Sequence, residues 1–293
     1  MSARENLCLT SFVEQGKNFD LYTYDGSLSV PDGVTLRDAS EIYPEDEVFT
    51  YQSGPGEGSV AVFADFFRYK LLYERGGWWV DTDVVYTGAP VPDDDFYFGR
   101  QSPSKITNTV TKLPKESPIA KGLLGEVRSI GKEKASRTWG KTGPKLFTQV
   151  LRETGYASEA KPKSYAYPIP WEDAKVSYLP RRREEIEEKL EGSPFFHLWN
   201  EILGRLGLQK DVRPPKGSYL NAKAKELGFQ WPCPAVQYSA DTIEQMAENW
   251  EKKQKYADKA HAYDNVRSTR IWKIVTRLNS TARKVKSSLE IQN

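Results

Sequence analysis

Ala64-Asp65-Phe66-Phe67-Arg68-Tyr69-Lys70-Leu71-Leu72-Tyr73-Glu74-Arg75-Gly76-Gly77-Trp78-Trp79-Val80-Asp81-Thr82-Asp83 is the stretch on which the architecture turns. It reads as a helix closed by two glycines, then a short apolar strand that ends in two carboxylates. Asp65 and Arg68 are three apart, so on a helix they share one face, a turn from each other. Gly76 and Gly77 end the helix tightly and let the backbone come close to its neighbours. In extended chain Asp81 and Asp83, at i and i+2, project from the same side, at the sheet edge where α/β folds bind ligands. Two carboxylates facing one way repel each other unless something positive lies between them. A divalent cation or a clamp of basic side chains would serve.

Outward from this stretch, the first part of the chain alternates in character. Glu5 to Gln15 predicts a short amphipathic helix with Leu7, Leu9, Phe12 and Val13 on its apolar stripe, stopped at Gly16. Phe19 to Tyr24 alternates like a strand and meets a turn at Asp25-Gly26, and Val34 to Leu36 is a weaker strand. A long helix is expected over 59–75. Helix and strand at this spacing suggest an α/β domain with a largely parallel sheet. From Pro90 to Pro180 the sequence is rich in Pro and Lys and reads as loops, apart from a helix over 144–154. Arg181 to Glu191 reads as a solvated stretch of mixed-sign pairs, and Asp93-Asp94-Asp95 as an exposed loop.

Composition narrows the function classes. Of 293 residues, 42 are Lys or Arg and 40 Asp or Glu, a net charge of +2, which argues against a protein that is basic throughout and wraps nucleic acid. Aromatics reach 12%, enough to supply burial and to argue against disorder. Two cysteines, Cys8 and Cys233, fit a reducing compartment. No apolar run approaches the ~20 residues of a membrane span, and Met1 to Phe12 has no signal-peptide hydrophobic region. A cytoplasmic protein is expected. Asp241 to Ala260 is helical in composition, and 266–289 reads as a basic amphipathic helix, with Ile271, Val275, Leu278, Ala282, Val285 and Leu289 as its apolar stripe. Such a helix suits docking onto a partner or peripheral contact with the inner face of an anionic membrane.

With these residues in view, the stretch from Ala64 to Val84 resembles the signature of the DXD-motif, sugar-binding-region glycosyltransferases. This is glycosyltransferase family 32, which includes capsule and lipopolysaccharide transferases of bacteria and fungal mannosyltransferases. The large clostridial glucosylating toxins are a more distant likeness. The resemblance runs over roughly Leu7 to Leu220, and is looser at Asp38-Ala39, Thr142-Gly143-Pro144 and His197-Leu198-Trp199-Asn200. It implies an α/β fold of the GT-A nucleotide-diphospho-sugar transferase type, a Rossmann-like mixed sheet flanked by helices. That domain would span 1–235, with a helical tail over 236–293.

The resemblance further implies a UDP- or GDP-hexose donor, a glycan or lipid-linked acceptor, and retention of anomeric configuration. It implies a divalent metal, Mn²⁺ by preference with Mg²⁺ as a substitute. Carried over by position, Asp81 and Asp83 are the metal pair and, with Asp65, the catalytic residues, and His197 is a late metal or diphosphate ligand. Asp65 and Arg68 match the residues that hold the donor sugar and diphosphate, with Thr82 and Trp199 beside them. His197 reads equally as a structural histidine among Phe195, Phe196 and Trp199, and His261 as an exposed tail residue. Members of this family begin with a strand at the centre of the sheet, whereas this sequence opens at the following helix and has alanine at position 64 where serine is common. The expectation is a sheet without that strand, with the nucleotide base contact unassigned.

Three other readings are weaker. A glycosidase needs carboxylates on opposite faces of the scissile bond, and neighbours on one strand point together. A binding or scaffold protein would keep the cleft without turnover. A nucleic-acid binder would interleave aromatics with its basic residues, and here only Trp272 does so.

Overall fold

A computed structural model of the protein describes residues 1–233 and 235–268. Two units divide the chain, the first Met1–Ala240 and the second beginning at Asp241.

The first unit opens with α1 (Ala3–Val13). Ser2 accepts from the Glu5 backbone N–H, and the Glu5 carboxylate accepts from the Ser2 N–H in return. This capping box satisfies donors that the first helical turn leaves free. Strands β1 (Phe19–Thr23) and β2 (Val34–Asp38) follow, then α2 (Ala61–Glu74) and β3 (Gly77–Val80). The helix α2 buries Val62, Phe66, Phe67, Tyr69 and Leu72, so it is apolar on most sides, as an interior helix must be. It stops where the sequence predicts, at Gly76 and Gly77, both with positive φ. A Cβ on Gly76 would fall 2.5 Å from the Lys115 backbone nitrogen, so no other residue fits there without displacing the chain.

The next elements are β4 (Val84–Tyr86), β5 (Tyr97–Ser102), β6 (Lys105–Leu113), α3 (Pro118–Ile130), α4 (Lys132–Ser136) and α5 (Pro144–Glu153). Then come α6 (Lys163–Ala166), α7 (Arg183–Lys189), β7 (Phe195–His197), α8 (Asn200–Arg205) and α9 (Tyr219–Glu226). In the second unit α10 (Ala240–Ser268) carries the predicted helical tail as far as the described residues extend. Most of the basic stretch 266–289 lies outside the described residues, as does the His261 side chain. Among the described residues no helix is long and apolar enough to cross a membrane.

The sheet arrangement corrects the expectation of a largely parallel sheet. Among the described strands, β1 and β2 are the one parallel pair, in register Phe19↔Val34 to Thr23↔Asp38. Strands β3, β6 and β5 form an antiparallel sheet in that order, and β4 pairs antiparallel with β7. The loop reading of 90–180 is corrected too, because β5 and β6 form a hairpin with Pro103-Ser104 at its turn, and Ser117-Pro118 starts α3. Within β6, Ile106, Thr107, Thr109, Val110 and Thr111 are β-branched and suit a pleated surface. That composition was a signal for a strand. The charged stretch over 181–191 behaves as expected, with exposed pairs Arg183–Glu187 and Lys189–Glu185 one turn apart on α7.

The main core lies between α2, α3, α5 and the β5–β6 hairpin, around Tyr69, Leu72, Phe98, Ile106, Leu123 and Phe147. A second cluster joins Phe12 of α1 to Val84, Tyr86, Tyr97, Val110 and Phe195. Among the described residues the β1–β2 pair and the antiparallel sheet do not join: β1 bonds to β2, and β3 to β6.

Phe147 is fully buried and meets Phe98 edge-on at 5.9 Å. Phe147→Ala should therefore cost about 3–5 kcal/mol, read as a lower urea midpoint at unchanged m-value. A cost within experimental error would mean that this cluster is not the main core.

Candidate active site

Side chains alternate along a strand, so the twin tryptophans of β3 go opposite ways. Trp78 meets Tyr97 and Phe195, at ring-centroid distances of 5.2 and 5.7 Å. Trp79 meets Phe67 of α2 and lies under the Arg68 guanidinium, 4.8 Å from ring centroid to Cζ. The Trp79 indole N–H donates to Asp81 Oδ1 at 2.7 Å, and Arg68 reaches the same oxygen at 3.1 Å. Arg68 also donates to the Asn108 carbonyl at 2.7 Å and stands 3.6 Å from Asp65 Oδ1. The helical spacing of Asp65 and Arg68 thus places both beside Asp81.

Asp65 does not line the cleft. It is buried, with Oδ1 accepting from Asn108 Nδ2 and Oδ2 from Thr142 Oγ1, each at 2.9 Å. Its place is behind Arg68, as the base that carries the guanidinium, rather than against a donor sugar. Asn108 and Thr142 hold it there from β6 and from the segment before α5.

Asp83 has partners of its own. His197 Nε2 lies 3.2 Å from its carboxylate, and the Asn200 backbone N–H donates to Oδ2 at 2.9 Å. The pairing Val84↔His197 between β4 and β7 brings the two side chains together across 114 residues of sequence. Trp199 lies against the imidazole, 3.9 Å between ring centroids, and donates to the Ile169 carbonyl at 3.0 Å. Trp199 holds a left-handed backbone (φ 59°), a conformation that costs a bulky residue about 1–3 kcal/mol. That turn directs the Asn200 N–H at Asp83. Arg4, fully buried in α1, donates to Asn200 Oδ1 at 3.0 Å and to the Tyr178 hydroxyl at 2.9 Å, so a residue at the start of the chain steadies the same loop.

The couplet sits in a turn and not in extended strand. The Val84 N–H bonds back to the Asp81 carbonyl, and Asp81, Thr82 and Asp83 all line one cleft of about 1280 Å³. The repulsion between the carboxylates is met by separate basic partners, Arg68 at Asp81 and His197 at Asp83. Arg68 and Asn200 also line the cleft. Asn200, Asn108 and Arg4 were not singled out by residue-type reasoning. Only the His197-Leu198-Trp199-Asn200 string offered a signal for Asn200, and nothing in sequence offered one for Arg4.

Burial pushes the Asp81 and Asp65 carboxyls up, and Arg68 pulls both back. Burial raises Asp83 as well, but the His197 ring and the hydrogen bonds from His197 and Asn200 outweigh it and hold the group low, at about 2. Among the described residues no three His, Cys, Asp or Glu side chains are gathered closely enough to enclose an ion. The donors present nevertheless fit a cation bound together with substrate phosphates, which needs only one or two carboxylates from the protein. Both contacts to Asp81 fall on Oδ1, and Asp83 already meets an imidazole nitrogen. The residues that would hold such a cation are Asp81 and Asp83; the sequence-predicted His197 and Trp199 do not line the cleft, and the His197 Nε2 faces Asp83.

Arg68→Met strands the buried Asp65 and leaves the half-buried Asp81 without its cation; it should destabilise the fold by about 3 kcal/mol, read by denaturant unfolding, with Arg68→Lys losing less. The depressed Asp83 contributes stability that is complete above the ordinary carboxylate range and is lost as pH falls through about 2. In metal-free protein Asp83→Asn should cost on the order of 2 kcal/mol near neutrality, and the gap to the parent should close on acidification. A gap independent of pH would contradict the Asp83–His197 pairing.

Residues 127–226 match a family model described as the alpha 1,4-glycosyltransferase conserved region. The match takes in Thr142, His197, Trp199 and Asn200 and leaves Asp81 and Asp83 outside it. No curated protein matches the chain. Among solved structures the chain is similar to one described as "PaToxG Glycosyltransferase", at 17% identity and a TM-score of 0.37, over 84% of this chain and 78% of that one. The conserved region, together with a mixed α/β architecture that carries paired acidic side chains on a cleft, supports a glycosyltransferase.

Proposed function

We propose that the protein moves a hexose from a UDP- or GDP-sugar to a glycan or lipid-linked acceptor, with retention at the anomeric carbon. The reaction uses a divalent cation, Mn²⁺ by preference, held at Asp81 and Asp83 together with the donor phosphates, with His197 behind Asp83. The observation that carries this reading is the turn that presents Asp81 and Asp83 to one large cleft, each carboxylate already positioned by a basic partner.

Glycosyl transfer breaks the bond between anomeric carbon and diphosphate, and negative charge gathers on the leaving diphosphate. A bound cation supplies neutralisation of that charge. The rest falls to the chain's own groups. Arg68, fixed between Asp65, Asn108 and Asp81, holds the Asp81 carboxylate in place and brings a permanent positive charge to the cleft wall where phosphate oxygens would lie. Trp79 donates to Asp81 and stacks under the guanidinium, so neither can swing away singly. Asn200 and His197 orient Asp83. A site so supported needs little rearrangement as charge develops.

The acceptor role belongs to surface polysaccharide of the capsule or lipopolysaccharide type, with residues 266–289 holding the protein at an anionic membrane surface. Removal of residues from 266 onward should release it from anionic vesicles and leave transfer to a soluble acceptor intact. Vesicle binding that survives the removal would refute the attachment. A second reading, a glycosyltransferase-like scaffold attached to membrane or partner through the basic tail, has one observation in its favour: among the described residues the sheet is open between β1 and β3. Donor binding in the presence of Mn²⁺ separates the two, since such a protein would show none.

A panel of UDP- and GDP-hexoses should reveal one donor whose hydrolysis and thermal stabilisation both need Mn²⁺ and disappear with a chelator. Asp81→Ala and Asp83→Ala should each lower turnover roughly a thousandfold, about 4 kcal/mol of transition-state stabilisation. Turnover indifferent to chelator would end the metal assignment.

A further inference from the structure

Outside the cleft, a second cavity of about 180 Å³ lies beside α9 and the chain that follows it. Arg213, Asn221, Lys225, Gly228, Gln230 and Trp231 line it, and none of them lines the cleft. Two of these wall side chains hold a buried donor that meets no acceptor: Arg213 at Nε and Trp231 at its indole Nε1. Trp231 is only 6% exposed, so its N–H cannot turn to bulk water. An unmet buried N–H is costly, most of all on a charged group. Buried donors in folded proteins find partners in nearly every case, and here two orphans fall at one cavity.

The acceptors on the same walls are already taken. At the end of α9 the Lys223, Ala224 and Lys225 carbonyls accept from the Leu227, Phe229 and Gly228 N–H groups. Asn221 Oδ1 accepts from the Gly217 N–H, and the Gly228 carbonyl from Gln230 Nε2, each at 3.4 Å. Among the described residues no carboxylate lines the cavity, and no ion pair holds Arg213 or Lys225. The space therefore carries two positive charges and a surplus of donors. Its walls are also fixed. The Arg213 N–H donates to the Val236 carbonyl at 3.3 Å, and its carbonyl accepts from the Tyr238 N–H at 3.0 Å. Phe229 meets Trp231 edge-on, 5.4 Å between ring centroids.

We propose that this cavity binds a phosphate group, with Arg213, Trp231 and Lys225 as its donors. Three donors from separate points of the chain suit the three free oxygens of a phosphate monoester, where a carboxylate offers two. One guanidinium and one ammonium match its charge of about −1.5 to −2 near neutrality. The volume is well below the ~300–1,000 Å³ of a site that encloses a whole small molecule. The cavity thus takes the phosphate head and leaves whatever carries it outside. Free phosphate and a phosphorylated sugar share this chemistry. The site is separate from Asp81 and Asp83, does not rest on the transferase reading and survives its failure.

The test follows the Trp231 indole N–H by NMR in the isotope-labelled full chain, identified as the resonance that Trp231→Phe removes. With no metal present, inorganic phosphate should shift that resonance saturably, and sodium chloride at matched ionic strength should not. A parallel titration with glucose-6-phosphate separates the sources. Tighter binding than inorganic phosphate assigns the site to a phosphorylated sugar, and equal or weaker binding assigns it to the free ion. Arg213→Met should weaken binding roughly tenfold or more, and Lys225→Met, at an exposed position, roughly threefold. A Trp231 resonance that neither phosphate compound moves, or that chloride moves equally, would show a cavity filled by water and would overturn the proposal. Binding unchanged in both variants would overturn it as well, and Lys225→Met keeps that outcome readable should Arg213→Met fail to fold.

Discussion

Arg68 carries one positive charge into the interior and divides it between Asp65 and Asp81. A buried guanidinium is tolerable only when its donors are met by acceptors in the right plane, and here those come from three separate parts of the chain. Asp65 stands one helical turn before it, the Asn108 carbonyl comes from β6, and Asp81 follows β3. Trp79 closes the arrangement by stacking on the guanidinium and donating to Asp81. The contact therefore ties α2 to the antiparallel sheet and points Asp81 at the cleft in one act. Asn108 and Thr142 exist in this scheme to satisfy Asp65, because a second buried carboxylate would otherwise undo what the first gains.

The other half of the site is held independently. Asp83 depends on β7 and on the turn at Trp199, and that turn depends on Arg4 from the start of the chain. The result is two carboxylates, two residues apart, whose electrical environments differ: Asp81 is raised by burial, and Asp83 is held low by its histidine and a backbone N–H. A cation brought by substrate phosphates would meet one group ionised in advance and another restrained by an arginine. Side chains supported from behind in this way lose little freedom on binding, which is the condition for electrostatic catalysis in a cleft.

The same cleft extends past the carboxylates into the interval between β1 and β3. A mixed sheet normally runs unbroken beneath such a site and keeps water from its floor. Here the floor is open, and aromatic side chains suited to burial on both faces stand partly exposed. Support of the site from α2, β6 and β7 does not require that floor, so the open interval and the ordered carboxylates coexist.

Local sequence settled whatever local geometry controls. The spacing of Asp65 and Arg68 puts them on one helix face, Gly76 and Gly77 break the chain where only glycine fits, and alternation sends Trp78 and Trp79 opposite ways. Each follows from backbone periods of 3.6 and 2 and from the sterics of a Cβ. The partners of the two carboxylates were another matter. Asn108, Thr142, Asn200 and Arg4 are distant in sequence from the carboxylates, and no periodicity connects them to Asp65 or Asp83. The sense of the sheet was misread for the same reason, since parallel or antiparallel pairing is decided by which strands meet after the helices have packed. Tertiary structure alone could place a buried arginine between two acids, because that choice balances desolvation against partners that sequence does not bring together.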